Sequence, residues 1–85
     1  MRVQLKFIGA LRDYYPNAEA AASGRCDIEC AAGTTVRAAL ESIGVPDEDL
    51  YFIMVGDSRI DAIQAGERVL EDGEAVVLIP ILKGG

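Results

Sequence analysis

Residues 75–82 read Ala-Val-Val-Leu-Ile-Pro-Ile-Leu, the longest unbroken apolar run in the chain. A membrane span needs about 20 such residues, so this run belongs to a folded core. Laid out as a strand, it is apolar on both faces. Val77, Ile79 and Ile81 fall on one side, and Val76, Leu78 and Leu82 on the other. A strand of that kind normally lies inside a sheet with cover above and below. With 85 residues the chain makes one small domain, which has little material for two covers. It offers one convincing helix, and that helix serves one face. Residues 17–24 and 61–70 could fold over the other face. The imbalance favours another protein, because monomers rarely expose large contiguous apolar patches.

The remaining elements follow from periodicity and punctuation. Val3, Leu5 and Phe7 alternate with Gln4 and Lys6, the pattern of a strand with one buried face. Leu11-Arg12-Asp13-Tyr14-Tyr15 predicts one or two helical turns, stopped by Pro16. Residues 17–24 are Ala-rich but carry no helical period, and they read as a surface loop. Cys26, Ile28 and Cys30 alternate with Asp27 and Glu29 in a second strand. Val36, Ala39, Leu40 and Ile43 then fall at i, i+3, i+4 and i+7, the apolar stripe of the one clear helix. Thr34 or Thr35 serves as its N-cap, Gly44 closes it, and Pro46 prevents its continuation. Residues 50–55 form a third strand, Gly56-Asp57-Ser58 turns it back, and Asp72-Gly73 is a tight turn before the last strand.

Charge and residue inventory exclude several functions. Eight basic side chains against fourteen acidic ones give a net charge of −6. That balance disfavours nucleic acid and anionic membranes, and suits a partner with a basic docking face. The first residues lack the apolar core of a signal peptide, so a cytoplasmic protein is expected. No histidine is present to serve as metal ligand or general base. On a strand, Cys26 and Cys30 share a face but lie about 13 Å apart, too far for a disulfide. Two small core side chains is the simpler reading. Asp47-Glu48-Asp49 reads as a solvated turn after Pro46, and Glu71, Asp72 and Glu74 lack the spacing of a calcium loop. No metal or bound cofactor is expected.

What remains is Lys83-Gly84-Gly85. A Gly-Gly end has a bland reading as a frayed tail. It also has a chemical one. A carboxylate activated inside another protein must thread a narrow channel, and two residues without Cβ allow backbone conformations that others cannot adopt. A stiff strand leading to them would aim the tip. The chain therefore divides into a folded domain, 1–82, and a flexible Gly-Gly tail, 83–85.

Four segments, in order, resemble the MoaD/ThiS-type sulfur carriers. Lys6-Phe7-Ile8-Gly9-Ala10-Leu11-Arg12-Asp13 is similar to the family's first strand and turn. Gly33-Thr34-Thr35-Val36-Arg37-Ala38-Ala39-Leu40 is similar to its helix start. Leu70-Glu71-Asp72-Gly73-Glu74-Ala75-Val76 is similar to the Asp-Gly turn before the last strand. Ile79-Pro80-Ile81-Leu82-Lys83-Gly84-Gly85 is similar to its proline-containing approach to the diglycine. The sequence departs from the family in having Ile81 after Pro80 and Lys83 before Gly84. It also has Val55-Gly56-Asp57 where Asn-Gly is frequent.

The resemblance implies an α+β, ubiquitin-like β-grasp fold, a mixed sheet of four to five strands packed on one main helix. It implies that an E1-like adenylating enzyme of the MoeB/ThiF type uses ATP to activate Gly85. A sulfur donor enzyme then converts Gly85 to a thiocarboxylate. The tail, with Lys83 and Gly84 threading, would enter a large molybdopterin synthase subunit of the MoaE type, supplying sulfur for the molybdenum or tungsten cofactor. The chain itself would be a carrier subunit with no side-chain active site. Phe7, Val77, Ile79, Pro80, Ile81 and Leu82 are the expected docking residues. A ThiS-like carrier for thiamine thiazole synthesis, a ubiquitin-like modifier conjugated through Gly85, and a purely structural domain are the alternatives. Lys83 before the diglycine is similar to the basic residue found there in ubiquitin-like modifiers.

Overall fold

The alternation along the first residues does produce a strand, β1 (Arg2–Phe7), with Val3, Leu5 and Phe7 buried. The structure, a computed structural model, describes residues 1–45 and 51–81. After β1 come a 3-10 helix (Gly9–Tyr14), α1 (Ala18–Ser23), β2 (Cys26–Glu29) and α2 (Val36–Ser42). Then follow β3 (Tyr51–Val55), β4 (Ser58–Ile60), α3 (Ala62–Glu67) and β5 (Ala75–Pro80). The sheet is mixed and has the order β2-β1-β5-β3-β4. β5 is central, parallel to β1 and antiparallel to β3. This is the β-grasp arrangement.

The stripe on α2 is buried as its spacing requires, with Val36, Ala39 and Leu40 in the core. Thr35, not Thr34, is the N-cap, its hydroxyl accepting from the Ala38 N–H at 3.2 Å. Gly44 closes the helix at φ +81°. Burial of Leu5, Ile53 and Leu78 beneath it contributes about 1.5–3 kcal/mol each. Phe7 and Tyr15 stack at 4.7 Å between ring centroids, and the Phe7 N–H donates to the Tyr15 hydroxyl at 2.9 Å.

Two segments differ from expectation. Residues 17–24 are a helix, α1, and not a loop. The Asn17 side chain accepts from the Ala20 N–H at 2.8 Å, and Gly24 ends the turn at φ +77°. Caps at both ends offset the absence of an apolar stripe. Residues 61–67 hold α3, opened by a capping box between Asp61 and Gln64. Ala20, Ala65 and Leu70 join the same buried cluster as Leu5, Val36 and Leu78. Both segments therefore pack on the α2 side, and neither covers the second face of β5.

Candidate functional site

The candidate site is the open face of the sheet together with the end of β5, which in sequence leads on to Lys83-Gly84-Gly85. Val76 and Leu78 point into the core at 1% and 0% exposure. Val77 is half-buried and Ile79 is 38% exposed on the opposite face. Register then assembles the surroundings. Val77 stands between Lys6 on β1 and Met54 on β3, and Met54 is opposite Arg59 on β4. Ile79 is opposite Phe52. The open face thus carries an apolar strip of Val77, Ile79, Met54 and Phe52. Lys6 and Arg59 bracket it, and the Arg59 guanidinium lies 3.9 Å over the Phe52 ring.

The exit of β5 is also defined. Pro80 is opposite Tyr51, and Ile81 lines a shallow depression with Tyr51, Phe52, Arg59 and Asp61. On the other side, the Ile8 N–H donates to the Leu78 carbonyl at 3.0 Å. Gly9, at φ +58°, leaves room for the Pro80 ring. A proline at this point ends the ladder, because it has no N–H to donate.

Of the expected docking residues, Val77, Ile79, Pro80 and Ile81 are at least half-buried or exposed at the surface of this site. Phe7 is a correction. It is 2% exposed, points to the core and is held by Tyr15, so it cannot meet a partner while the domain is folded. Leu82, Lys83, Gly84 and Gly85 lie outside the described residues, as do Asp47, Glu48 and Asp49. Sequence reasoning missed Lys6, Phe52, Met54 and Arg59. A signal for two of them was present, since Tyr51–Val55 is a second strand apolar on both faces.

The other candidates for chemistry have structural roles. Cys26 is buried, and burial, with the Asp27 carboxylate adding to it, pushes its thiol up. A protonated thiol of that kind is a poor nucleophile. Cys30 is half-buried and also free. Asp72 accepts from the Arg2 N–H at 2.8 Å, which ties the last turn to β1. Glu74 takes a bidentate contact from Arg68, at 2.6 and 3.2 Å, and accepts from the Glu71 N–H at 2.7 Å. Among the described residues no cluster of His, Cys, Asp and Glu could hold a metal ion. No described helix is long and apolar enough to cross a membrane.

Comparison with known families gives a match over residues 1–84 to Mut7-C ubiquitin, a ubiquitin-like family. The chain belongs to the Mut7-C ubiquitin family. No curated protein matches its sequence. Among solved structures, this Mut7-C ubiquitin chain is similar to SAMP1 from Haloferax volcanii, at TM-score 0.71 and 17% identity over 100% of both chains. It is similar to a putative molybdopterin converting factor subunit 1 from Pyrococcus furiosus, at TM-score 0.68 and 22% identity. That match covers 95% of this chain and 98% of the other. A complex of subunits 1 and 2 of the molybdopterin-converting factor from Helicobacter pylori matches at TM-score 0.61 and 23% identity, over 100% of both chains. These likenesses establish the shared β-grasp fold.

Proposed function

We propose that this Mut7-C ubiquitin chain is a sulfur carrier. Its Gly85 carboxylate is adenylated by an E1-like enzyme that spends ATP, then converted to a thiocarboxylate by a sulfur donor enzyme. It then delivers sulfur for molybdopterin synthesis as the small subunit of molybdopterin synthase. The observation that carries this reading is the asymmetry of β5. On one of its faces Val76 and Leu78 are buried in the same core cluster as residues from the helices, while on the other Val77 is only half-buried and Ile79 is exposed. In sequence, the same strand runs directly into Lys83-Gly84-Gly85. A carrier needs both parts, a surface for successive partners and a slender tip that reaches their active sites. The likeness to a subunit 1 seen in complex with subunit 2 supports a large synthase subunit as one partner.

The mass of the protein isolated from its native cells tests the chemistry. A species heavier by the exchange of one oxygen for sulfur, lost on mild hydrolysis, is the expected result. An unmodified mass in cells that are making the pterin cofactor would overturn the proposal.

A second reading has its own support. Small archaeal modifier protein 1 shares the fold, and here Lys83 directly precedes the diglycine. If the chain is conjugated to other proteins, trypsin cutting after Lys83 would leave Gly-Gly on target lysines. Such remnants, lost when the gene is deleted, would favour the modifier role.

A further inference from the structure

The seven basic side chains among the described residues are unevenly partnered. Arg2, Arg25 and Arg68 meet Glu29, Asp27 and Glu74 at 3.2, 3.7 and 2.6 Å. Arg12 donates to the Ala21 carbonyl at 2.8 Å, and Arg37 donates to the Ala62 carbonyl. Lys6 and Arg59 meet no carboxylate among the described residues, although acids outnumber bases fourteen to eight. Both stand in one cross-strand row, Lys6–Val77–Met54–Arg59. Three strand spacings of about 4.8 Å set their backbones about 14 Å apart, one at each side of the apolar strip.

We infer that the open face docks a protein partner whose contact surface is apolar at its centre and carries carboxylates at its rim, placed to meet Lys6 and Arg59. An apolar centre with a charged rim is the ordinary anatomy of a protein interface, and rim charges fix register and orientation more than affinity. Net charge alone pointed to a basic docking face. The acids of this face, Asp27 and Glu29, lie out on β2 and meet Arg25 and Arg2, so the charges left without a carboxylate beside the strip are positive, and a partner with Lys or Arg at those two places would be repelled there. Arg59 is pre-positioned for the role, since its guanidinium already rests on the Phe52 ring. This inference rests on the carrier reading and specifies the partner that the reading requires.

The test uses the activating enzyme of the same cell in ATP–pyrophosphate exchange, with Lys6→Glu, Arg59→Glu and the double variant. Arg25→Glu, away from the apolar strip, is the control for net charge. Both reversals should raise KM about tenfold or more with kcat little changed. Added salt should raise the wild-type KM but not that of the double variant. Wild-type exchange together with reversals no worse than Arg25→Glu overturns the inference alone. No exchange with the wild-type chain overturns the carrier reading and this inference with it. A salt-sensitive dimer of the wild-type chain, lost in the reversals, would assign the face to a second copy and also overturn it.

Discussion

Gly9 and Pro80 lie so close that a Cβ built on Gly9 would stand 3.4 Å from the Pro80 Cγ. The first turn after β1 and the last residue of β5 thus form one contact, at the point where the chain leaves the sheet. Gly9 holds φ +58°, a conformation that costs a residue with a Cβ about 1–2 kcal/mol. Gly9→Ala should therefore lower stability by about that amount, read as the midpoint of urea unfolding. An unchanged midpoint would show that Ile8 and Gly9 relax without strain.

The two faces of β5 should separate cleanly. Val76→Ser or Leu78→Ser puts a hydroxyl into the core and opens a cavity, costing about 3 kcal/mol or more. For a domain this small that is a large share of its stability. Val77→Ser and Ile79→Ser should cost under about 1 kcal/mol and weaken association with the synthase or activating partner instead. Equal destabilisation by all four, with binding never altered alone, would remove the docking argument.

Acid stability should depend on Glu74. The hydrogen bond from Arg68 holds its carboxyl below the ordinary 4.5, with the Glu71 N–H and the Arg68 charge helping and burial opposing. A carboxylate whose folded pKa is depressed adds stability above its unfolded pKa and loses it as pH falls through the folded value. The pair is partly solvated, at 38% and 19% exposure, so its worth at neutral pH is about 1 kcal/mol or less. Glu74→Gln should lower Tm at pH 7, and the difference should shrink as the pH falls through the depressed folded pKa of Glu74, where its carboxyl becomes neutral like the amide that replaces it. A Tm difference that persists unchanged in acid would mean that the pair contributes through packing and not charge.

How much of this was legible beforehand differs by element. β1, β2, α2 and the two-faced β5 were read correctly because each is written in a period set by burial. The helices α1 and α3 were not, because six residues are too few to form a helix without help. Their stability comes from caps at Asn17, Gly24, Asp61 and Gln64 and from packing against the core. Those caps were visible as residues, but nothing local announced that they would be used. At the candidate site, Val77 and Ile79 followed from alternation. Phe52 and Met54 could have followed from their strand's two apolar faces, but Lys6 and Arg59 could not, since only the cross-strand register brings positions 6, 54, 59 and 77 into one row. Phe7 was misplaced for a different reason, since its own alternation with Val3 and Leu5 already put it on the buried face and only the family resemblance made it a docking residue.

Adding an Ala after Gly85, or deleting Gly85, should abolish adenylation while leaving Tm nearly unchanged. The change lies past β5 in sequence, and a glycine has no side chain to contribute to the core, so the fold is expected not to register it. Attack on the ATP phosphorus requires a carboxylate oxygen at near-attack distance, and one residue moves it by about 3.5 Å. Gly84→Ala should fall between the wild type and the extended chain. Pyrophosphate exchange beside a melting curve makes the check. Wild-type exchange in the extended chain would mean that Gly85 is not the reactive end.

The central position of β5 also governs how the chain is born. β2 pairs with β1, and β4 with β3, but no ladder joins the two pairs until β5 is laid between them. Gln4 must wait for Ala75. Until residues 75–80 have emerged from the ribosome, these two pairs of strands cannot be joined, and the edges that β5 will cover stay bare. Contacts this distant in sequence slow folding and prolong that exposure. The segment that completes the sheet is the one that leads to the diglycine, so a chain that has failed to fold has no aimed tip to offer. Activation by a partner that grips the folded face would then admit only finished molecules.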